Sequence, residues 1–414
     1  MMPVADVGNT VFHPVSIQFW RVSEMLDRRF LIISLTTVID PLIVESYNPL
    51  VSTLMTAFNV DLELIALSLT FHMLPLAILS LFSGTLSDLY HRPKILVYGL
   101  VISSIGSLLG AASPNAVFFL LSRSIQGTGS ALIMPIAIAL IGDIIPREAL
   151  GKAFGLSGVI SGLFGVALGP LIGGFLGGIE WRILPLLFFS YSVALAVFSR
   201  AILRSSTASN MKKGNISLIF KQIWETGKNR NVALLSAAGF LSFFTLQGMM
   251  PLISDVLSLR PLQLAKSQIG IMFSIVGVVG ILSSFLGGIL TDRIGSRRNM
   301  IFGYLMMLAP MFLLTLADSY WLYIILLSSL NSFNRLAFVS RSALVVELTP
   351  ESRGTASSVF NFAGFLGFAL APIALTQIYV KSGMSSIYLL NVFLLLMCAM
   401  FAFLVHTIHK QKTV

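Results

Sequence analysis

Apolar stretches of about twenty residues recur along this chain, separated by short polar connections. A helix rises about 1.5 Å per residue, so such a stretch crosses the roughly 30 Å hydrocarbon core of a bilayer. Twelve spans are predicted, at about 30–52, 64–86, 93–112, 116–141, 153–177, 183–203, 231–256, 267–290, 299–317, 320–346, 354–380 and 385–407. The fold class is therefore an all-α membrane protein. Residues 1–29 mix Phe12, Phe19 and Trp20 with Arg21, Glu24 and Arg28, which suits either an amphipathic surface helix or a tail. The division expected is a segment 1–29, a six-helix half 30–203, a linker 204–230, a second half 231–407 and a tail 408–414.

The polar connections carry a repeat. Gly84-Thr-Leu-Ser-Asp88-Leu-Tyr-His-Arg92 returns as Gly288-Ile-Leu-Thr-Asp292-Arg-Ile-Gly-Ser with Arg297 following, and Asp143 matches Glu347 at the same spacing. A fixed offset of half a chain means two homologous halves. Two related sets of apolar helices are the layout of a secondary transporter with its site between the halves.

Charge sharpens this picture. Only 11% of residues are charged, against roughly 25% in soluble domains. The net charge of +10 invites a nucleic-acid reading, which its distribution excludes. With both ends of the chain on one side, twenty of the 27 Lys and Arg residues fall on that side and four (Arg182, Arg260, Lys266, Lys381) on the other. This bias predicts cytoplasmic termini in a cell (inner) membrane, with the basic excess serving topology and lipid contact. Residues 1–29 have no compact apolar region of a signal peptide. One cysteine, Cys398, allows neither an internal disulfide nor a cysteine-based metal site. No metal or cofactor is expected, and the scattered histidines offer no catalytic constellation, so an enzyme is not expected either.

Charged groups inside spans are costly and point to function. Asp40 and Glu45 lie in span 1, Arg123 and Gln126 in span 4, and Arg335 in span 10. Five residues separate the two acids, about 140° around a helix, so they should not share a site. Depth pairs Glu45 with Arg123 and Asp40 with Arg335. Asn331, Asn334, Arg335 and Phe338 share one helical face. His72, Gln247 and Asn361 are further cavity candidates, Phe338, Phe360 and Phe365 an apolar lining, and Arg341 a snorkelling residue near the span end. In span 5, Gly165, Gly169 and Gly173 repeat every fourth residue beside Pro170 and Gly174, a face for close packing. Gly169 and Pro170 are expected against span 8 near Val276 to Ser283.

The doubled Gly-x-x-x-Asp loops resemble those between spans 2 and 3, and 8 and 9, of the major facilitator superfamily. Leu89 and His91 depart from the usual first loop, whereas Arg293 and Gly295 fit the second. Arg123 with Gln126 is similar to the family's span 4 motif, and Gly165 to Gly174 to the span 5 motif of its antiporters. The resemblance, closest to twelve-span drug:proton antiporters, implies proton coupling through Glu45, Asp40 and Arg123. It also implies gating through Gly84, Asp88, Arg92, Asp143, Gly288, Asp292, Arg297 and Glu347. Asp88 is expected beside Gly354 to Ser357 and Asp292 near the start of span 5, with arginines bridging to Asp143 or Glu347. The function expected is proton-coupled efflux of small amphipathic compounds by a monomer. The alternatives are a proton-coupled metabolite importer and a non-transporting membrane sensor.

Overall fold

A computed structural model describes residues 27–89, 91–146, 149–203, 216–259 and 262–406; the side chains of 83–89 and 216–220 lie outside the description. The proposed surface helix in residues 1–29 and the tail 408–414 fall almost wholly outside it. Every regular element among the described residues is helical. Eleven helices are long and apolar enough to cross a membrane, and the last, Arg353–Leu404, contains two spans. It breaks at Gly383, where φ is +76°, a backbone conformation that only glycine adopts without strain. Spans 11 and 12 are thus joined through a single residue and bring the total to twelve. The linker, expected as a plain connection, contains a helix, Ile216–Lys228.

The internal repeat is visible in the packing. Spans 2 and 3 both lie against span 4, and spans 8 and 9 both lie against span 10. Across the halves, span 2 runs along span 11, and span 5 along span 8. The Thr70 hydroxyl donates to the Ala369 carbonyl across this seam at 2.6 Å. Val44, Leu69, Met73, Leu76, Phe368 and Ala369 close it with an apolar cluster. The end of span 1 and its short 3₁₀ turn, Asn48–Leu50, pack on span 7. These contacts lie between the middle of the membrane and the face opposite the chain ends. Toward the face carrying the chain ends, here the basic face, a Cβ added at Gly151, Gly155, Gly158, Gly288 or Gly354 would meet nothing within 4 Å.

Span 1 is interrupted twice, and its prolines explain where. Its pieces are Arg28–Thr36, Ile39–Tyr47, Asn48–Leu50 and Val51–Phe58. Pro41 has no N–H and cannot bond the Thr37 carbonyl one turn earlier. Ser161 of span 5 donates to that carbonyl instead, at 2.8 Å. Pro49 repeats the break one turn after Glu45. The two acids therefore sit beside breaks, and neither direction follows from a straight helix.

Span 5 departs from ideal geometry at Gly162–Ala167, a stretch of π-helix. Its glycines divide their partners. Added Cβ atoms would press Gly165 on Pro41, Gly169 on the Glu45 Cβ at 3.1 Å, and Gly173 on the Ser46 carbonyl, all in span 1. Gly174 instead faces Lys266 and Gly270 of span 8, and Gly270 in turn faces the Pro170 carbonyl. The expected contact of Gly169 with Val276 to Ser283 is corrected: the stripe packs within its own half. The stretch Val276 to Ser283 is met instead by Val166 and Ala167, at Gly277, and by Gly162, at Ile281.

Candidate functional site

The polar groups inside the bundle form three clusters. The first is wholly within the N-terminal half. His72 Nε2 stands 2.9 Å from Asp40 Oδ1, and His72 is fully buried. Gly127 of span 4 makes room for the His72 backbone, since a Cβ there would collide with the His72 carbonyl. Arg123, 1% exposed, donates from Nη1 to Gln126 Oε1 at 2.7 Å, and Gln126 donates to Ser107 at 2.9 Å. Its guanidinium lies 4.5 Å from the Tyr47 ring centre. Asp40 is the carboxylate within electrostatic reach of both His72 and Arg123. A buried guanidinium needs such a counter-charge and acceptors for its N–H groups, and here Asp40 and the Gln126 amide oxygen supply them.

The second cluster joins the halves. Glu45 Oε2 accepts from Asn48 Nδ2 at 2.9 Å, and its charge faces Gln247 of span 7 and Arg335 of span 10. Neither depth-based pair forms: Asp40 meets His72, with Arg123 the nearer cationic influence, and Glu45 meets Asn48, with Arg335 the cation whose charge bears on it most. Depth matched, but it is one coordinate, and the angular separation of the acids sends them to opposite sides of span 1. If Glu45 and Arg335 interact, Glu45→Gln and Arg335→Gln should be non-additive, by about 0.5–3 kcal/mol in a double-mutant cycle. Denaturant unfolding in mixed micelles measures this. Additive losses would remove the pair, and the Asp40/Arg335 cycle should be close to additive.

The shared face predicted in span 10 is split. Asn331 donates to the Val276 carbonyl of span 8 at 2.8 Å, whereas Asn334 accepts from Ser242 of span 7 at 3.0 Å. Each therefore has one amide atom committed to a neighbouring span, on different sides of span 10. Phe338 and Phe360 belong to the third cluster, and Asn361 is exposed near the basic end of span 11.

The third cluster overturns the snorkelling assignment. Arg341 is 0% exposed. Nη1 donates to Tyr304 Oη at 2.5 Å and to the Ala238 carbonyl at 3.3 Å. The rings of Phe360, Phe338 and Phe243 surround the guanidinium at 5.3, 5.6 and 5.9 Å. Its Nε and Nη2 have no hydrogen-bond partner. A buried cation held mainly by ring faces is replaceable by an apolar chain of similar length. Arg341→Met should therefore keep or raise the unfolding midpoint, whereas Arg341→Ala, leaving a cavity, should cost about 2–5 kcal/mol. Thermal unfolding in detergent distinguishes the two; a large loss in the Met variant would refute the apolar-substitution argument.

Of the loop residues, Arg92 Nη1 bonds Asp143 Oδ1 at 2.6 Å, the bridge expected of the first copy. The surroundings of Gly84 and the side chain of Asp88 fall outside the description. In the second copy Glu347 accepts from Ser296 at 2.9 Å, and Arg297 turns instead to the Phe403 carbonyl and ring. Asp292 is exposed. The second loop turns through Gly295 at φ +89°, while the first passes His91 at φ −66°. The loops thus share sequence but not backbone.

The sequence reading missed Asp255 at the far end of span 7. It is 7% exposed and accepts from the Tyr379 hydroxyl at 2.8 Å.

Comparison with known proteins agrees with this architecture. The family model described as Major Facilitator Superfamily matches residues 33–265 and 232–414. An uncharacterized MFS-type transporter, YwfA of Bacillus subtilis, is 26% identical over 357 residues, 83% of each chain. The quinolone resistance protein NorA of Staphylococcus aureus is 32% identical over 172 residues, covering 40% of this chain and 44% of its own. A bacterial homolog of the human lysosomal transporter Spinster, solved inward-facing and unoccupied, superposes with a TM-score of 0.71 at 17% identity. That match covers 91% of this chain and 96% of the other. With both halves matched and twelve spans in place, this chain belongs to the Major Facilitator Superfamily and is a multi-pass membrane transporter.

Proposed function

We propose that the protein is a proton-coupled efflux antiporter for small amphipathic compounds, working by alternating access rather than by bond chemistry. The observation that carries this is the division of two acids on one span. Asp40 is held inside one half by His72 and Arg123. Glu45 lies instead under the electrostatic influence of Arg335 of the other half. A proton taken up by Glu45 weakens a link between the halves, and one taken up by Asp40 weakens a link within a half. Proton and substrate that favour different facing states are coupled by that difference alone. The partial likeness to a quinolone resistance protein supports an amphipathic substrate class. The charge bias supports a cell-membrane protein with its basic face toward the cytoplasm.

The unpartnered Nε of Arg335 favours a second reading, import of an anionic metabolite with protons. Transport in everted membrane vesicles separates the two. With an imposed gradient, acid inside the vesicle, an efflux antiporter accumulates a fluorescent amphipathic probe and the signal collapses with a protonophore. Accumulation of an organic anion only under the reversed gradient would replace the first reading by the second. Indifference of every probe to the gradient would leave neither standing.

A further inference from the structure

The basic face carries a second polar site, far from the acids. A groove of about 410 Å³ lies where span 3 begins, at Arg92–Ala111, and span 6 ends, at Ile183–Ile202. His91, Lys94, Tyr98, Ser199 and Arg200 line it. Lys94 and Arg200 are exposed, and neither forms an ion pair among the described residues. No carboxylate lines the groove. Ser199 is fully buried at its wall, yet its hydroxyl has no hydrogen-bond partner, and His91 Nδ1 is buried and equally unpartnered. Two unneutralised cations, an idle hydroxyl and an idle imidazole nitrogen around one groove match an anionic oxygen-rich group.

The surroundings say what that group is attached to. Reading span 3 away from Lys94, the exposed positions at helical spacing are Tyr98, Val101 and Ile105, at 61%, 41% and 48%. Reading span 6 back from Arg200, they are Val197 and Val193. Each ladder thus has a cation at the membrane surface and an apolar strip descending below it, with about 1.5 Å per residue of depth. A free phosphate would use the top and leave the strips unexplained. A molecule with an anionic head and alkyl tails uses both.

We infer that this groove binds the headgroup of one anionic glycerophospholipid from the leaflet on the basic side. The phosphodiester lies between Lys94 and Arg200, with Ser199 and His91 completing its hydrogen bonds. The acyl chains follow Tyr98, Val101 and Val197. The inference rests on membrane embedding alone and is independent of the substrate or the coupling ion.

The test uses the purified full chain in neutral detergent, delipidated and then exposed to phosphatidylglycerol or phosphatidylcholine, with bound lipid counted by native mass spectrometry. Wild type should retain phosphatidylglycerol preferentially. The double variant Lys94→Gln with Arg200→Gln should bind it about thirtyfold more weakly, since each basic residue at a membrane surface attracts anionic lipid. Arg353→Gln, an exposed change on the same face, should leave binding unaltered. Monodispersity and the unfolding midpoint certify that each variant is folded; both changed side chains are exposed, so they should match wild type. A serine variant, Ser199→Ala, should weaken the headgroup preference while leaving both charges in place, which general charge attraction would not do. Equal retention by the double variant would overturn the site, as would equal loss in Arg353→Gln. Displacement of the lipid by millimolar glycerol phosphate would assign the groove to a soluble phosphate and overturn the lipid.

Discussion

Asp40→Asn is expected to reduce proton-driven transport to on the order of a tenth of wild type or less, while substrate binding persists, because it deletes a charge that differs between facing states. The amide is nearly isosteric with the carboxylate and can still accept from His72, so the contact at 2.9 Å has a replacement. What it cannot do is titrate. Arg123 then loses its carboxylate, but it keeps Gln126 and the Tyr47 ring, which hold its position. Losing one member of a buried pair costs roughly 3–5 kcal/mol when the remaining charge has no other partner. The loss here should be smaller for that reason. The measurements are substrate-induced proton release in a pH-dye assay and ligand-induced thermal shift on the same preparation. Wild-type proton release from the variant would remove Asp40 from the coupling role.

Gly173→Leu should prevent recovery of folded protein, and Gly155→Leu, on the same helix, should change stability by no more than about 0.5 kcal/mol. A Cβ at Gly173 would run into the backbone carbonyl of Ser46, where no side-chain movement relieves it. Overpacking costs about 1–3 kcal/mol even where neighbours can yield. Here the neighbour is the segment between Glu45 and Tyr47, so separating the helices also displaces the groups around both acids. At Gly155 the added atom meets nothing within 4 Å. Size-exclusion profiles and unfolding midpoints in detergent give the answer. Equal behaviour of the two variants would contradict the packing assigned to span 5.

The twelve spans were legible because each is a long apolar run, and bilayer thickness sets its length almost regardless of what it packs against. The two halves were legible because the Gly84 and Gly288 loops keep their spacing. Partners were not. Asp40, Glu45, Arg123 and Arg335 were matched by depth, but their directions depend on the breaks at Pro41 and Pro49. Arg341 looked like a snorkelling residue when measured from the end of its own helix. Tyr304, Ala238, Phe243 and Phe360 from other spans enclose it together with Phe338 one turn away, and no count along span 10 could bring the first four there. The glycine stripe was correctly seen as a surface for close approach. Which helix approaches was decided by the phase of span 5, and that phase includes a π-helical turn.

That turn, Gly162–Ala167, has a consequence for how the protein exchanges hydrogen with solvent. Backbone amides in the middle of a spanning helix are normally among the slowest to take up deuterium, being both bonded and shielded by lipid. A wide turn bonds its carbonyls to more distant amides and packs less regularly, so it opens at lower free energy than the helix around it. Span 5 should therefore show a deuterium-uptake maximum at its centre, near residues 162–167, with slower uptake toward Gly173. The clock for exchange would run fastest where span 5 touches span 1 on one face and span 8 on the other, which makes mid-membrane uptake a direct reporter of the seam between the halves.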